Sequence, residues 1–122
     1  MRVRAVVAYD GTEYAGFQRQ ADVRTVQEAL EDALSEVTQE GIRIVAAGHT
    51  DAGVHALGQV IAFDTTWRHG ETQLHRAMNA VLPEDIAVRE LVEVEGDFHP
   101  RFDARRRSYR YRVFNCSVRS PL

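Results

Sequence analysis

The segment from Thr25 to Val37 constrains the fold most. Glu28 stands three residues after Thr25 as a capping box, and Val26, Ala29, Leu30, Ala33, Leu34 and Val37 keep helical spacing behind it. The stripe makes one apolar face that has to be buried against something, and Gly41 is the expected stop. The neighbouring segments supply the partner surface. Residues 2 to 9, RVRAVVAY, are Val-rich and free of breakers, which reads as a strand, and residues 42 to 47 read as a second.

The same alternation continues along the chain. Residues 58 to 64, GQVIAFD, predict a third strand. Leu74, Ala77, Met78 and Val81 predict a second helix, stopped at Pro83. Residues 86 to 94 read as a fourth strand, and 108 to 114, SYRYRVF, as one more with alternating Arg. Residues 10 to 24 and 96 to 104 are expected to be loops, the first exposing the two aromatics of YAGFQRQ among hydrogen-bond donors. The order β-α-β-β-α-β matches a ferredoxin-like, RRM-like α+β plan: an antiparallel sheet with helices on one face. RNA-recognition modules share that plan, but their aromatic signature is absent here, so base stacking on the sheet face is not supported.

With 122 residues the chain reads as a single domain, without internal repeat or linker. One Cys, Cys116, cannot close an internal disulfide, and no apolar run approaches a membrane span, so a cytoplasmic protein with no membrane association is expected. The net charge of −3 hides an uneven distribution: between Arg101 and Arg119 stand seven Arg and one acid, Asp103. The chain has no Lys. Arginine forks suit phosphate, so this segment, interleaved with Tyr109, Tyr111 and Phe114, is compatible with nucleic acid. A solvated edge strand with positive gatekeepers fits the charge run equally.

Residues 48 to 60, GHTDAGVHALGQV, pinch a short loop between two apolar segments and leave one carboxylate, Asp51, at its tip. Spacing alone leaves two readings open. The loop presents a site residue, or it is a turn in which Asp accepts a local backbone hydrogen bond and Gly53 takes a positive φ. His49, Asp51 and His55, with His99, could be taken as metal ligands, but the spacing matches no known metal signature.

Five blocks carry a resemblance. YDGTEYAGFQRQ (9 to 20), TVQEAL (25 to 30), AGHTDAGVHALGQV (47 to 60), NAVLPEDIAV (79 to 88) and FHPRFDARRRSYRYRV (98 to 113) resemble, in order, the signatures of the tRNA pseudouridine synthase A family. The resemblance covers the whole chain but only the N-terminal half of a family member. It implies an N-terminal catalytic domain over residues 1 to 122, with the half that supplies the other wall of the cleft absent.

The resemblance implies isomerisation of uridine to pseudouridine in the anticodon stem-loop of tRNA, at positions 38 to 40, by a homodimer with neither metal nor cofactor. Asp51 would be the nucleophile and Tyr109 the tyrosine holding the target nucleotide, although alone Tyr109 could equally be a core aromatic. Arg101 and His49 would contact substrate. Arg19, Arg105, Arg106 and Arg107 would contact phosphate, while a salt-bridge role is open to each; Phe17 is expected to pack. One departure stands out: the family loop reads Gly-Arg-Thr-Asp, and this chain has His49 in place of that Arg. An Arg keeps the neighbouring carboxylate ionised, and His does so only when protonated, so a weak or acid-shifted activity is expected. The alternative is a non-catalytic tRNA-binding or dimerisation fragment or paralogue.

Overall fold

A computed structural model describes residues 1 to 48, 53 and 55 to 101. Strand β1 runs Arg2–Tyr9, followed by a 3₁₀ turn at Gly11–Glu13, helix α1 at Val26–Thr38, and strands β2 at Val45–Ala46 and β3 at Ala56–Asp64. Helix α2 spans Glu71–Val81 and strand β4 Ile86–Val94. The sheet order is β2-β3-β1-β4, and every neighbouring pair is antiparallel. This is the α+β arrangement that the alternation of patterns led one to expect. The strand expected at 108 to 114 lies outside the described residues.

Period-two alternation in β1 decides the layering. Val3, Ala5, Val7 and Tyr9 face the helices and pack with Leu30 and Leu34 of α1, Leu74 and Met78 of α2, and Ile61 and Phe63 of β3. On the opposite face Val6 joins Val60, Ala62 and Phe98 in a second, smaller cluster. The segment after β4 therefore crosses back over the sheet. Arg2 fastens it there, donating through Nε and Nη2 to the Phe98 carbonyl at 3.2 and 3.0 Å.

Several expectations shift. Strand β2 is two residues long, not six, because the Ile44 amide is taken by the Glu31 carboxylate at 3.0 Å instead of a strand partner. Strand β3 begins two residues early, at Ala56. Helix α1 ends at Thr38 with Gln39 in the left-handed region (φ 61°), its amide donating to the Ser35 carbonyl; Gly41 is not the stop. The aromatics of YAGFQRQ are not exposed: Tyr14 and Phe17 are buried, and the Phe17 ring lies 5.9 Å from that of Tyr9. Pro100 and Arg101 are helical, not loop.

Among the described residues, the edge of β4 away from β1 is met by the preceding helix, α2. Glu71, His75 and Asn79 recur every four residues on α2, so they share one face of the helix. Asn79 both donates to the Val88 carbonyl and accepts from its amide, His75 Nε2 contacts the same carbonyl, and Glu71 accepts from the Glu93 amide. Side chains thus satisfy backbone groups that would otherwise invite another strand.

Candidate active site

The glycine-flanked loop leaves the sheet between β2 and β3, and both of its roots are fixed. The Ala47 amide donates to the Val60 carbonyl at 2.9 Å, and Gln59 Nε2 donates to the Gly48 carbonyl at 2.6 Å. His49 and Asp51, the residues singled out from the sequence, lie outside the described residues, as do Arg105, Arg106, Arg107 and Tyr109. The site can nevertheless be built from what holds the loop on either side of them.

On the exit side the loop is tied to the segment after β1. Gly53 has φ 78°, the positive value its sequence position suggested, and its amide donates to the Tyr14 carbonyl at 3.2 Å. His55 Nδ1 lies 2.9 Å from the Gly11 amide and 3.0 Å from Asp10 Oδ1. An unprotonated Nδ1 accepts from Gly11, and a protonated one donates to Asp10, so either state of the ring holds the same segment. Asp10 in turn caps the 3₁₀ turn, accepting from the Thr12 hydroxyl and amide, and these bonds hold its carboxyl below the usual range with help from His55.

Tyr14 is the centre of this support. Its hydroxyl donates to Asp85 Oδ1 at 2.7 Å, and the Arg24 guanidinium sits 5.7 Å from its ring centroid. Burial, then the hydrogen bond and charge of Asp85, push the phenol up to about 12. The Asp10 amide donates to the Asp85 carbonyl at 2.9 Å, so the turn before β4 braces the same segment twice.

A second network holds the other end of that segment. Glu31 is 4% exposed, and its carboxylate accepts from Arg19 Nη1, Gln27 Nε2, Arg43 Nη1 and the Ile44 amide. Gln27 Oε1 accepts from the Arg19 amide at 2.8 Å. Arg19, read from the sequence as a phosphate contact, is therefore paired within the protein, and with its side chain 38% exposed it can meet a phosphate only while sharing its fork with Glu31. Arg101 is exposed. It lines an open cavity of about 290 Å³ with Gln18, Gln27 and His99, over a floor that includes Phe17 and β2. The structure thus brings Arg101 and the Arg19 segment to one edge of the sheet.

Sequence reasoning missed Glu31, Tyr14 and Asp85. Glu31 sits among the apolar stripe positions of α1, where a charge reads as solvent-facing. Tyr14 lay in a segment taken for a polar loop. Among the described residues no group of three or more His, Cys, Asp or Glu side chains could hold a metal ion, and no helix is long and apolar enough to cross a membrane.

Comparison with known proteins gives a consistent picture. A family model described as tRNA pseudouridine synthase matches residues 5–103. A protein named tRNA pseudouridine synthase A from Pseudothermotoga lettingae is 52% identical over 114 residues, covering 93% of this chain and 46% of that protein. Its namesake from Chloroflexus aurantiacus is 52% identical over 120 residues, covering 98% and 42%. Another from Shewanella pealeana is 50% identical over 122 residues, covering 100% and 47%. The chain spans about half the length of the curated relatives it matches.

Proposed function

The chain belongs to the tRNA pseudouridine synthase family, and on that footing we propose that it supplies the catalytic N-terminal domain of an enzyme that isomerises uridine in the anticodon arm of tRNA. The observation that carries this reading is the match across residues 5–103, within which the loop bearing Asp51 lies.

The chemistry needs little equipment. The N1–C1′ glycosidic bond breaks, the uracil turns within the site, a C5–C1′ bond forms, the C5 hydrogen leaves as a proton and N1 gains one. Nothing is oxidised or reduced, so the atoms balance without a cofactor. Asp51 serves as the nucleophile: its carboxylate assists as the N1–C1′ bond breaks and is released unchanged when the C5–C1′ bond forms. A uridine in a stem-loop has first to be turned out of its stack, at a cost of roughly a few kcal/mol, and contacts from Tyr109, His49 and Arg101 would offset that cost. Arg105, Arg106 and Arg107 hold phosphates, with Arg19 adding to them only through the part of its fork that Glu31 leaves open, which supplies affinity rather than selectivity. The enzyme acts as a homodimer in the cytoplasm, where its tRNA substrate is.

The relatives' greater length favours a second reading, a tRNA-binding portion whose chemistry requires the rest of the enzyme. One experiment separates them: unmodified tRNA incubated with this chain, then mapped for pseudouridine by carbodiimide treatment and primer extension. Stops at positions 38 to 40 support the first reading. Salt-sensitive tRNA binding without stops supports the second.

A further inference from the structure

We infer that Tyr14 is a positioning residue for the loop that bears Asp51, holding it through the Gly53 amide while Asp85 holds Tyr14. The inference rests on the proposed role of Asp51. It adds how the described end of that glycine-flanked loop, at Gly53, is held.

Three observations converge. The Tyr14 carbonyl takes the Gly53 amide, two residues along the chain from Asp51, at a φ of 78° that Gly adopts without strain. The Tyr14 ring is 5% exposed, so the residue cannot swing without opening the core. Its hydroxyl reaches 2.7 Å to Asp85, in the turn before β4, which also takes the Asp10 amide on its carbonyl. The path from the turn before β4 to the loop is therefore one side-chain and one backbone hydrogen bond, with a rigid ring between them. His55, bound to Gly11, fixes the same loop two residues beyond Gly53. Misplacing a reacting group by about 1 Å costs on the order of 10²-fold in rate, so a clamp of this kind acts on turnover more than on tRNA affinity.

The test uses Tyr14→Phe, Asp85→Ala and Asp85→Asn in this protein, with turnover, KM for tRNA, thermal unfolding and hydrogen exchange of the Gly53 amide measured for each. Asn keeps an oxygen for the Tyr14 hydroxyl and rescues. Tyr14→Phe and Asp85→Ala lower kcat about 10-fold while KM stays within about twofold, and the double variant is no worse than either single one. Faster Gly53 exchange accompanies the loss. Unchanged kcat and exchange in both variants overturn the inference, as does a loss that merely follows the unfolded fraction. If Tyr14→Phe does not fold, Asp85→Ala decides. Should the wild-type protein form no pseudouridine, the functional reading fails by itself, and Gly53 exchange still decides the clamp.

Discussion

The Glu31 carboxylate accepts the Ile44 amide at 3.0 Å, joining the first helix to the residue before β2. It takes the amide of the residue just before the short strand that leads towards the Asp51 loop. Because the same carboxylate also takes Arg19, Gln27 and Arg43, its removal leaves several donors without their acceptor. Arg19 and Arg43 are exposed enough to be rehydrated, and the loss is dominated by the buried amide and the gap left behind. Glu31→Ala is therefore expected to destabilise the fold by about 2–3 kcal/mol, read from urea unfolding.

Asn79→Ala tests the closed edge of β4. It withdraws both the donor and the acceptor that serve Val88, and His75 remains on the carbonyl only. A loss of about 1–2 kcal/mol is expected in chemical denaturation, together with a greater tendency to associate as concentration rises in sedimentation. Asn79→Asp keeps the acceptor but sets a carboxylate oxygen against the Val88 carbonyl, so it is expected to lose at least as much as Asn79→Ala.

How far the sequence could be read depends on where each residue's partners lie along the chain. Helix α1 announces itself because its cap and its stripe are local: Thr25 accepts from the Glu28 amide three residues on. β1 is legible because Val and Ala without a breaker leave little else for it to be. Tyr14 and Asp85 are opaque because they meet across 71 residues, a separation no window captures, and Glu31 because its partners Arg19, Arg43 and Ile44, 12 to 13 residues off, lie outside its own helix. β2 was overread for the same reason, since an unforeseen side chain took the amide that would have extended it. The glycine-flanked loop was legible as a place but not as a geometry; its Gly53 φ could be foreseen, whereas its hydrogen bond to Tyr14 could not.

Two perturbed groups, Glu40 and Tyr14, make stability depend on pH in opposite directions. Glu40 accepts from the Thr65 and Thr66 hydroxyls and the Thr66 amide, which lowers its carboxyl below the ordinary value of 4.5. Its contribution is present above that value and fades as pH falls through the lowered one. Tyr14 is the reverse case: raised from 10.0 to about 12, it contributes fully below pH 10 and loses that contribution as pH climbs towards 12. Thermal unfolding midpoints followed across pH should fall between 10 and 12, and Tyr14→Phe should flatten that limb while leaving the acid limb unchanged.

His49 supplies a functional prediction. The pattern that the loop resembles reads Gly-Arg-Thr-Asp, and this chain has His49 in place of that Arg, a side chain that is cationic only when protonated. His49→Arg should raise the rate of pseudouridine formation at neutral pH about 10-fold and remove any rise in rate towards acid, as measured by rate profiles from pH 5.5 to 8.5.

The most direct test of the central claim is tritium release from tRNA labelled at uridine C5, since that hydrogen leaves only when the new carbon–carbon bond forms. The account predicts release with this protein and none above background with Asp51→Ala, at unchanged tRNA binding. Release that survives the loss of the Asp51 carboxylate would contradict it.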